Sequence, residues 1–153
     1  MSVVIKEVTS KKELKKFVKF NIDLYKGNPY HIPGLIEEEM VTLDKKKNPA
    51  FEVCDAIYFL AYKDDKIVGR IAGMINRRSN EVWNQERARF GFLDFIDDAE
   101  VVDALFGAVE KWAKEQGMKE IHGPMGFTDM DHEGMLIEGF DQLGTMAAIY
   151  NYP

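Results

Sequence analysis

Apolar and polar residues first alternate along this chain and then recur at helical spacing. Val3 to Val8 alternates the two classes, which predicts a short β-strand. From residue 11 onward the apolar positions fall on one side of a helix, which we expect to span about residues 11–26. Ser10 and Glu13 form a capping box at the start of this helix, and Gly27 supplies its end.

Two strands joined by a tight turn are predicted near the middle of the chain. Ile57 to Tyr62 and Ile67 to Asn76 are rich in β-branched and aromatic residues, and Asp64-Asp65 supplies the turn between them. Gly69 and Gly73 are unusual inside a strand. They indicate a twist, a bulge, or the close packing of another element against the backbone.

The second half of the chain predicts two further strands around a long helix. Residues 76–89 form a polar connection, after which Phe90 to Ile96 is a strand. Asp97-Asp98 caps a helix that runs to about residue 116, and Lys119 to His122 is a last short strand.

With a short helix that begins at Leu35, the predicted order of elements is β-α-α-β-β-β-α-β. The final strand, helix and strand form a crossover, so these two strands should be parallel. The three strands before the crossover should be antiparallel. The predicted fold class is therefore α/β, with a mixed sheet that carries helices on its faces.

Composition fits one globular domain and narrows the classes of partner. The chain has 153 residues, of which 46% are hydrophobic and 30% are charged. Its formal net charge of -6 argues against nucleic acid, because phosphate binding requires a surplus of Lys and Arg. No apolar run has the length of a membrane span and the start lacks signal-peptide organisation, so we expect a cytoplasmic protein without a membrane partner. Cys54, the single cysteine, is expected to be a small buried hydrophobe.

A segment dense in glycine and acids, GPMGFTDMDHEGMLIEGFD, extends from Gly123 to Asp141. Asp129, Asp131 and Gly134 would hold the first, third and sixth positions of a calcium loop. The twelfth position requires a bidentate Glu but is Phe140, which argues against calcium. The histidines have no spacing typical of ligands either, so no metal site is predicted.

The same segment follows the C-terminal end of a parallel strand, which is where ligands bind in α/β sheets. Asp129, Asp131 and Glu133 are therefore the candidate catalytic residues, each able to act as a general base. The alternative is that they are solvated loop acids between turn glycines.

The hairpin text FLAYKDDKIVGRIAG resembles the second and third strands of the GNAT acyltransferase superfamily, over an element order that extends from about residue 3 to residue 123. The resemblance implies that the fourth and fifth strands splay apart, and that the pantetheine arm of acetyl-CoA or another acyl-CoA lies between them. The backbone of Asp94, Phe95 and Ile96 would contact that arm. The implied reaction is direct transfer of an acyl group from the thioester to the amine of a small molecule or peptide.

The turn after the fourth strand departs from this superfamily. GNAT proteins bind the CoA pyrophosphate there, at a helix N-terminus preceded by glycine with Arg or Gln. In this chain the turn reads DDAEVVD from Asp97 to Asp103, and its carboxylates would repel a pyrophosphate. Either CoA is held differently, or the domain is a non-catalytic copy of the fold that serves binding or assembly.

The end of the chain departs from the superfamily as well. The fold usually closes with a helix and two strands, but only about 30 residues follow Gly123, and residues 149–153 predict one strand and a turn. We therefore expect a lobe that is truncated, or is completed by a second lobe or a partner chain. An open sheet edge would suit such a partner, including a second copy in a homodimer.

Overall fold

The computed structural model describes residues 2–153, and it contains the predicted order of elements with one addition. The elements, in chain order, are β1 (Val4–Glu7), α1 (Lys11–Leu24), α2 (Ile36–Leu43), β2 (Cys54–Lys63), β3 (Lys66–Asn76), α3 (Arg77–Trp83), β4 (Arg87–Phe95), α4 (Ala99–Glu115) and β5 (Glu120–His122). A single 3-10 turn, Pro49–Glu52, precedes β2. The predicted mixed α/β fold is confirmed.

The five strands form one sheet in the order β1-β2-β3-β4-β5. The first four strands are mutually antiparallel, and β5 lies parallel to β4, as the crossover predicts. The β2–β3 turn falls at Asp64 and Asp65, whose φ angles of 50° and 61° are those of the tight turns that suit a hairpin. Strand pairing is therefore local along most of the sheet.

Helices cover both faces of the sheet. On one face, Phe17 and Val18 of α1 are fully buried against Tyr58 and Leu60 of β2. On the other face, α4 buries the apolar stripe Val101, Leu105 and Val109 against β2 and β3. Each of these side chains contributes about 1.5–3 kcal/mol when buried, so the sheet is held from both sides.

The two glycines of β3 allow α4 to approach the sheet closely. A Cβ atom at Gly69 would lie 2.8 Å from Leu105 Cδ1 and 3.0 Å from Val101 Cγ1. A Cβ atom at Gly73 would lie 3.0 Å from the indole ring of Trp112. Of the three explanations for these glycines, the close packing of another element is the one that the structure shows.

The polar connection predicted over residues 76–89 is wrong in part, because α3 lies within it. Asn76 caps this short helix by accepting a hydrogen bond from the Ser79 amide at 2.9 Å. Asn84 ends the helix in the left-handed conformation, with φ of 50°. An Asn at each end is the local signal for these termini, and it competes with the polar composition that favours a loop.

The strand predicted over residues 149–153 is also wrong. Residues 123–153, here named the C-terminal segment, contain no helix or strand. The Asn151 side chain bonds both the amide and the carbonyl of Leu136, at 2.8 and 3.1 Å. Tyr150 and Tyr152 pack on Tyr25, the residue that follows α1, at ring distances of 5.5 and 4.9 Å. Side-chain contacts therefore replace the backbone pairing that a strand would need.

The approach of the C-terminal segment to β4 depends on Gly91, and a glycine-to-alanine pair tests this. A Cβ atom at Gly91 would lie 2.1 Å from the carbonyl oxygen of Met125, whereas one at Gly107 of α4 would meet nothing within 4 Å. Gly91→Ala should lower the free energy of unfolding by about 1–3 kcal/mol through overpacking. Gly107→Ala, the control, should raise it by about 0.5–1 kcal/mol through helix propensity. Urea denaturation measures both, and equal effects of the two substitutions would contradict the close approach.

Candidate active site

An opening lies between β4 and β5 because the two strands pair only over their first residues. Arg87, Ala88 and Arg89 pair with Glu120, Ile121 and His122. The amide of Met125 then donates to the carbonyl of Phe90 at 2.9 Å, and beyond that bond β5 supplies no partner to β4. The outer edge of β4 is therefore unpaired from Gly91 onward.

A β-bulge lies at the same point of β4. Arg70 pairs with Asp94 and Ala72 pairs with Gly91, so one residue of β3 stands opposite Phe92 and Leu93. Phe92 has a φ of 48°, in the left-handed region. A bulge redirects the backbone groups of a strand, and this one does so beside the opening.

A cavity of about 350 Å³ lies at the opening. It is bounded by β4 from Gly91 to Asp94, by α1 and α2 with the loop between them, and by the C-terminal segment. The size is in the range of small-molecule sites, which are about 300–1,000 Å³. Its lining divides into a polar wall and an apolar rim.

The polar wall rests on a buried ion pair between β3 and β4. The side chains of Arg70 and Asp94 are 5% and 6% exposed, and Nε of Arg70 lies 2.8 Å from Oδ2 of Asp94. Arg70 also donates to Oε1 of Glu39 at 3.2 Å and to the carbonyl of Phe17 at 3.1 Å. Burial opposes the charge of Arg70, but the two carboxylates outweigh it and raise the pKa of the guanidinium. The pair is thus charged and tied to both α1 and α2.

Asp94 accepts two further hydrogen bonds from α1 and the residue that follows it. Asn21 donates from Nδ2 at 3.0 Å, and the hydroxyl of Tyr25 donates to Oδ1 at 3.1 Å. Burial and the nearby carboxylate raise the pKa of Tyr25, so its hydroxyl keeps its proton and remains a donor. Three donors therefore satisfy the buried carboxylate, as a low-dielectric site requires.

Taken as a whole, the polar wall carries more negative charge than positive charge. Glu38, Glu39, Asp94 and Asp131 line the cavity, and Arg70 is the single Arg or Lys in the lining among residues 2–153. Because Arg70 is already bound to two of these carboxylates, the wall favours a cationic or hydrogen-bond-donating ligand over an anion.

The rim of the cavity is apolar and rich in methionine. Met130 is 89% exposed, and Met135, Met146 and Leu35 are about half exposed. Methionine side chains are flexible and adapt to irregular apolar ligands. The cavity thus presents carboxylates at one side and adaptable apolar groups at its mouth.

The three acids predicted as catalytic occupy different environments. Asp131 lines the cavity, and its Oδ2 accepts a hydrogen bond from the Thr128 amide at 3.0 Å. Asp129 and Glu133 are exposed on the C-terminal segment and do not line the cavity. The structure thus brings one of the three to the opening beside the bulge.

The backbone positions predicted to contact a pantetheine arm lie at the end of β4. Asp94 and Phe95 pair with Arg70 and Gly69 of β3. The amide of Ile96 donates to the carbonyl of Val68 at 3.0 Å, so that amide is already used.

The N-terminus of α4, where the resemblance would place a pyrophosphate, is closed by side chains. Asp98 caps the helix by accepting from the Glu100 amide at 3.0 Å. Lys63 lies 2.5 Å from Asp98 and 3.2 Å from Glu100, and its hydrogen bond to Asp98 raises the pKa of the lysine and lowers that of the carboxyl. Two of the four acids of this turn, Asp98 and Glu100, are therefore bound to a cation of the protein.

Sequence reasoning missed Arg70, Asn21, Tyr25 and His31. Arg70 stands inside an apolar strand, IVGRIAG, and a charged residue in such a position is the signal that could have indicated a buried pair. Its partners are remote, since Asp94 is 24 positions away and Phe17 is 53. His31 stands in a loop and carries no local signal.

Among residues 2–153 no group of three or more His, Cys, Asp or Glu side chains is arranged to hold a metal ion. Over the same residues, no helix combines the length and the apolar character that crossing a bilayer requires.

Removal of Asp94 tests how far the buried pair stabilises the fold. Asp94→Ala should lower the free energy of unfolding by about 3–5 kcal/mol, because it leaves the Arg70 charge buried without its main partner. Asp55→Ala is the matched control, since Asp55 pairs with Arg77 at 2.5 Å with both side chains about half exposed. The control should cost less than about 1 kcal/mol. Chemical denaturation compares the two, and a small loss for Asp94→Ala would show that the pair is dispensable.

No family model matches the chain. Two curated proteins do. The chain is 38% identical over 138 residues to Protein YghO of Escherichia coli K12, covering 90% of the chain and 35% of that protein. It is 31% identical over 130 residues to a bacterial ceramide synthase of Caulobacter vibrioides, covering 84% of the chain and 34% of that protein. The chain thus spans about a third of the length of these relatives.

Solved structures share the fold at low sequence identity. An aminoglycoside acetyltransferase from a soil metagenomic sample, in complex with sisomicin, superposes with a TM-score of 0.55 at 17% identity, covering 78% of this chain and 75% of that one. A predicted acetyltransferase with acetyl-CoA from Clostridium acetobutylicum gives a TM-score of 0.51 at 12% identity, covering 78% and 79%. The strand order, the splayed fourth and fifth strands and these superpositions agree: the chain has the fold of the GNAT acetyltransferases.

Proposed function

We propose that this chain forms the acceptor side of an N-acyltransferase, in which an acyl group passes from an acyl-CoA thioester to the amine of a long-chain molecule. The observation that carries the proposal is the cavity itself. It opens at the β4 bulge, and it has carboxylates on one wall and methionines at its mouth.

The acidic wall suits an amine, which is protonated in water at neutral pH. Asp131 and Glu38 are the lining carboxylates that Arg70 does not bind. We assign Asp131, which is half-buried, to recognition of the ammonium group. A catalytic role for Asp129 and Glu133 stays a prediction from the sequence.

The apolar rim suits an alkyl chain. Met130, Met135 and Met146 offer flexible surface to a chain that leaves the cavity beside them. The name of one relative supports this choice, since a ceramide is the amide formed when a long-chain amine is acylated on its nitrogen. A short or purely polar amine would leave the rim without a partner.

The proposed acyl transfer requires the carbonyl carbon of the thioester to lie close to the β4 bulge. Attack by the amine forms the new C–N bond and places negative charge on the carbonyl oxygen, and a redirected amide of the bulge at Phe92 or Leu93 would stabilise that charge. Collapse then breaks the C–S bond and releases the thiol. In this proposal the backbone of Asp94 and Phe95 contacts the pantetheine arm. The amide of Ile96 remains hydrogen-bonded to β3 and does not take part.

The closed start of α4 requires the phosphates of CoA to be held elsewhere. At that position Lys63 already forms ion pairs with Asp98 and Glu100. The relatives are about three times as long as the matched region, so we propose that a further lobe or a partner chain contacts the phosphates.

The same closed helix start favours a second candidate, a non-catalytic module that binds an amine or assembles with another chain. Its sheet edges are β1 and β5, of four and three residues, and the part of β4 beyond β5 borders the cavity. Such short edges resist pairing with other chains, so binding through the cavity is the stronger form of this candidate.

Three probes measured by calorimetry test the amphiphilic character of the site: octylamine, ethylamine and 1-octanol, each below its micellar range. Octylamine should bind at least tenfold more tightly than either other probe, because only it fills both the acidic wall and the rim. Asp131→Asn should weaken octylamine binding about tenfold, whereas Asp141→Asn, in the same segment but outside the cavity, should not. Equal affinity for the three probes would remove the amphiphile from the proposal.

Because the contacts to the CoA phosphates are proposed to lie outside this chain, activity is measured with S-octanoyl-pantetheine, which lacks those phosphates, and octylamine, by the release of thiol and the mass of the amide. The expected result is turnover by the 153-residue chain. Octylamine binding without turnover would favour the non-catalytic module, and absence of both would overturn the two candidates together.

A further inference from the structure

We propose that His31 is the general base of this site and receives the proton that the acceptor amine loses as it attacks the thioester. The assignment rests on the proposed acyl transfer, and it comes from the position of the imidazole and the engagement of its neighbours.

His31 lies in the loop between α1 and α2 and lines the cavity together with Phe92 and Leu93 of the bulge. Its ring stacks on Tyr25 at 4.5 Å between centroids and meets Tyr150 edge-on at 5.9 Å. These two contacts fix the plane of the imidazole without using either nitrogen. A base must be oriented before it can accept a proton from a bound substrate.

Neither imidazole nitrogen makes a hydrogen bond to another group of residues 2–153, although both the ring and the cavity wall are partly buried. Of the other candidate bases that line the cavity, Glu38 and His132 are solvent-exposed, and the rest are engaged. Asp94 and Glu39 bind Arg70, and Asp131 accepts from the Thr128 amide. Tyr150 donates to the carbonyl of Phe140 at 3.1 Å and accepts from Asn28 at 2.9 Å. His31 is therefore the half-buried titratable group whose lone pair is available to a ligand.

Burial lowers the pKa of His31, and the charge of Asp94 offsets part of this effect. The imidazole is neutral at pH 7 and can accept a proton. Tyr25 stacks on His31, and the charged groups of the helices and the sheet that line the same cavity are Glu38, Glu39, Arg70 and Asp94. The C-terminal segment adds Asp131, His132 and Tyr150. The charge of Asp94 stabilises the imidazolium once it forms.

The proposed reaction exchanges protons only among the amine, solvent, His31 and the leaving thiolate. The ammonium first loses one proton to solvent, and the neutral nitrogen attacks the carbonyl carbon, which forms the C–N bond and makes the nitrogen cationic. His31 takes one proton from this cationic nitrogen. The C–S bond then breaks with its electron pair on sulfur, and the imidazolium returns the proton to that thiolate. Thioester and amine thus become amide and thiol with no other reactant.

The test is the pH dependence of kcat/KM for octanoyl transfer to octylamine by the 153-residue chain. In the unaltered chain kcat/KM should fall at acidic pH, with a midpoint below 6.5, the ordinary pKa of histidine. His31→Gln should lower kcat/KM about 100-fold or more and abolish that acidic midpoint. His31→Phe keeps the stacking on Tyr25 and should show the same loss, whereas His122→Gln, on β5 outside this cavity, should match the unaltered chain.

Binding of a ligand at the His31 imidazole can also be detected by NMR in the absence of turnover. In carbon-detected NMR the His31 ring resonance should shift on addition of octylamine, and that of His122 should not. If His31→Gln retains the acidic midpoint, or if His31→Phe retains full kcat/KM, the assignment is overturned while acyl transfer stands. A chain that binds octylamine beside His31 but shows no transfer at any pH overturns the proposed reaction, and the base assignment with it.

Discussion

The buried pair between Arg70 and Asp94 is the constraint on which the rest of this structure depends. It joins β3 to β4 at the residue where the bulge ends, and through Asn21, Tyr25 and Glu39 it fixes both α1 and α2 to the sheet. A hydrophobic pair could hold the same elements together. Only a charged pair with directed donors also fixes their rotation about the bulge, because each hydrogen bond has its own required angle.

That constraint explains why the cavity is preformed. The guanidinium binds two of the four lining carboxylates, and its single charge offsets one of theirs, so the site keeps a negative wall while its buried carboxylate is paired. The same network places Tyr25 beneath His31, and the ring stack then orients the imidazole. One ion pair therefore anchors the helices that bound the opening and the tyrosine on which His31 stacks.

The fold could be predicted further from the sequence than the site could. Strand alternation, the Ser10–Glu13 capping box and the Asp64-Asp65 turn are local signals, and the elements they predict are present. Helix α3 was missed because its caps are two asparagines in a polar run. The site was missed in larger part because its contacts join residues such as Asn21 and Asp94, which are 73 positions apart, and no local pattern encodes such a pairing. Asp131 follows a parallel strand, and that local signal was enough to predict a position that lines the cavity, while its catalytic role stays a prediction.

The methionine rim has a consequence for selectivity. A pocket lined by branched aliphatic side chains has a fixed depth, so it discriminates strongly between ligands of different chain length. Thioether side chains such as Met130, Met135 and Met146 rearrange at little energetic cost. Because they lie at the open mouth of the cavity, they contact the alkyl chain of a ligand along one side and leave its other side unrestricted. A site built this way accepts alkyl chains of different lengths. Each added methylene contributes a similar small increment of binding free energy, so no single chain length is preferred.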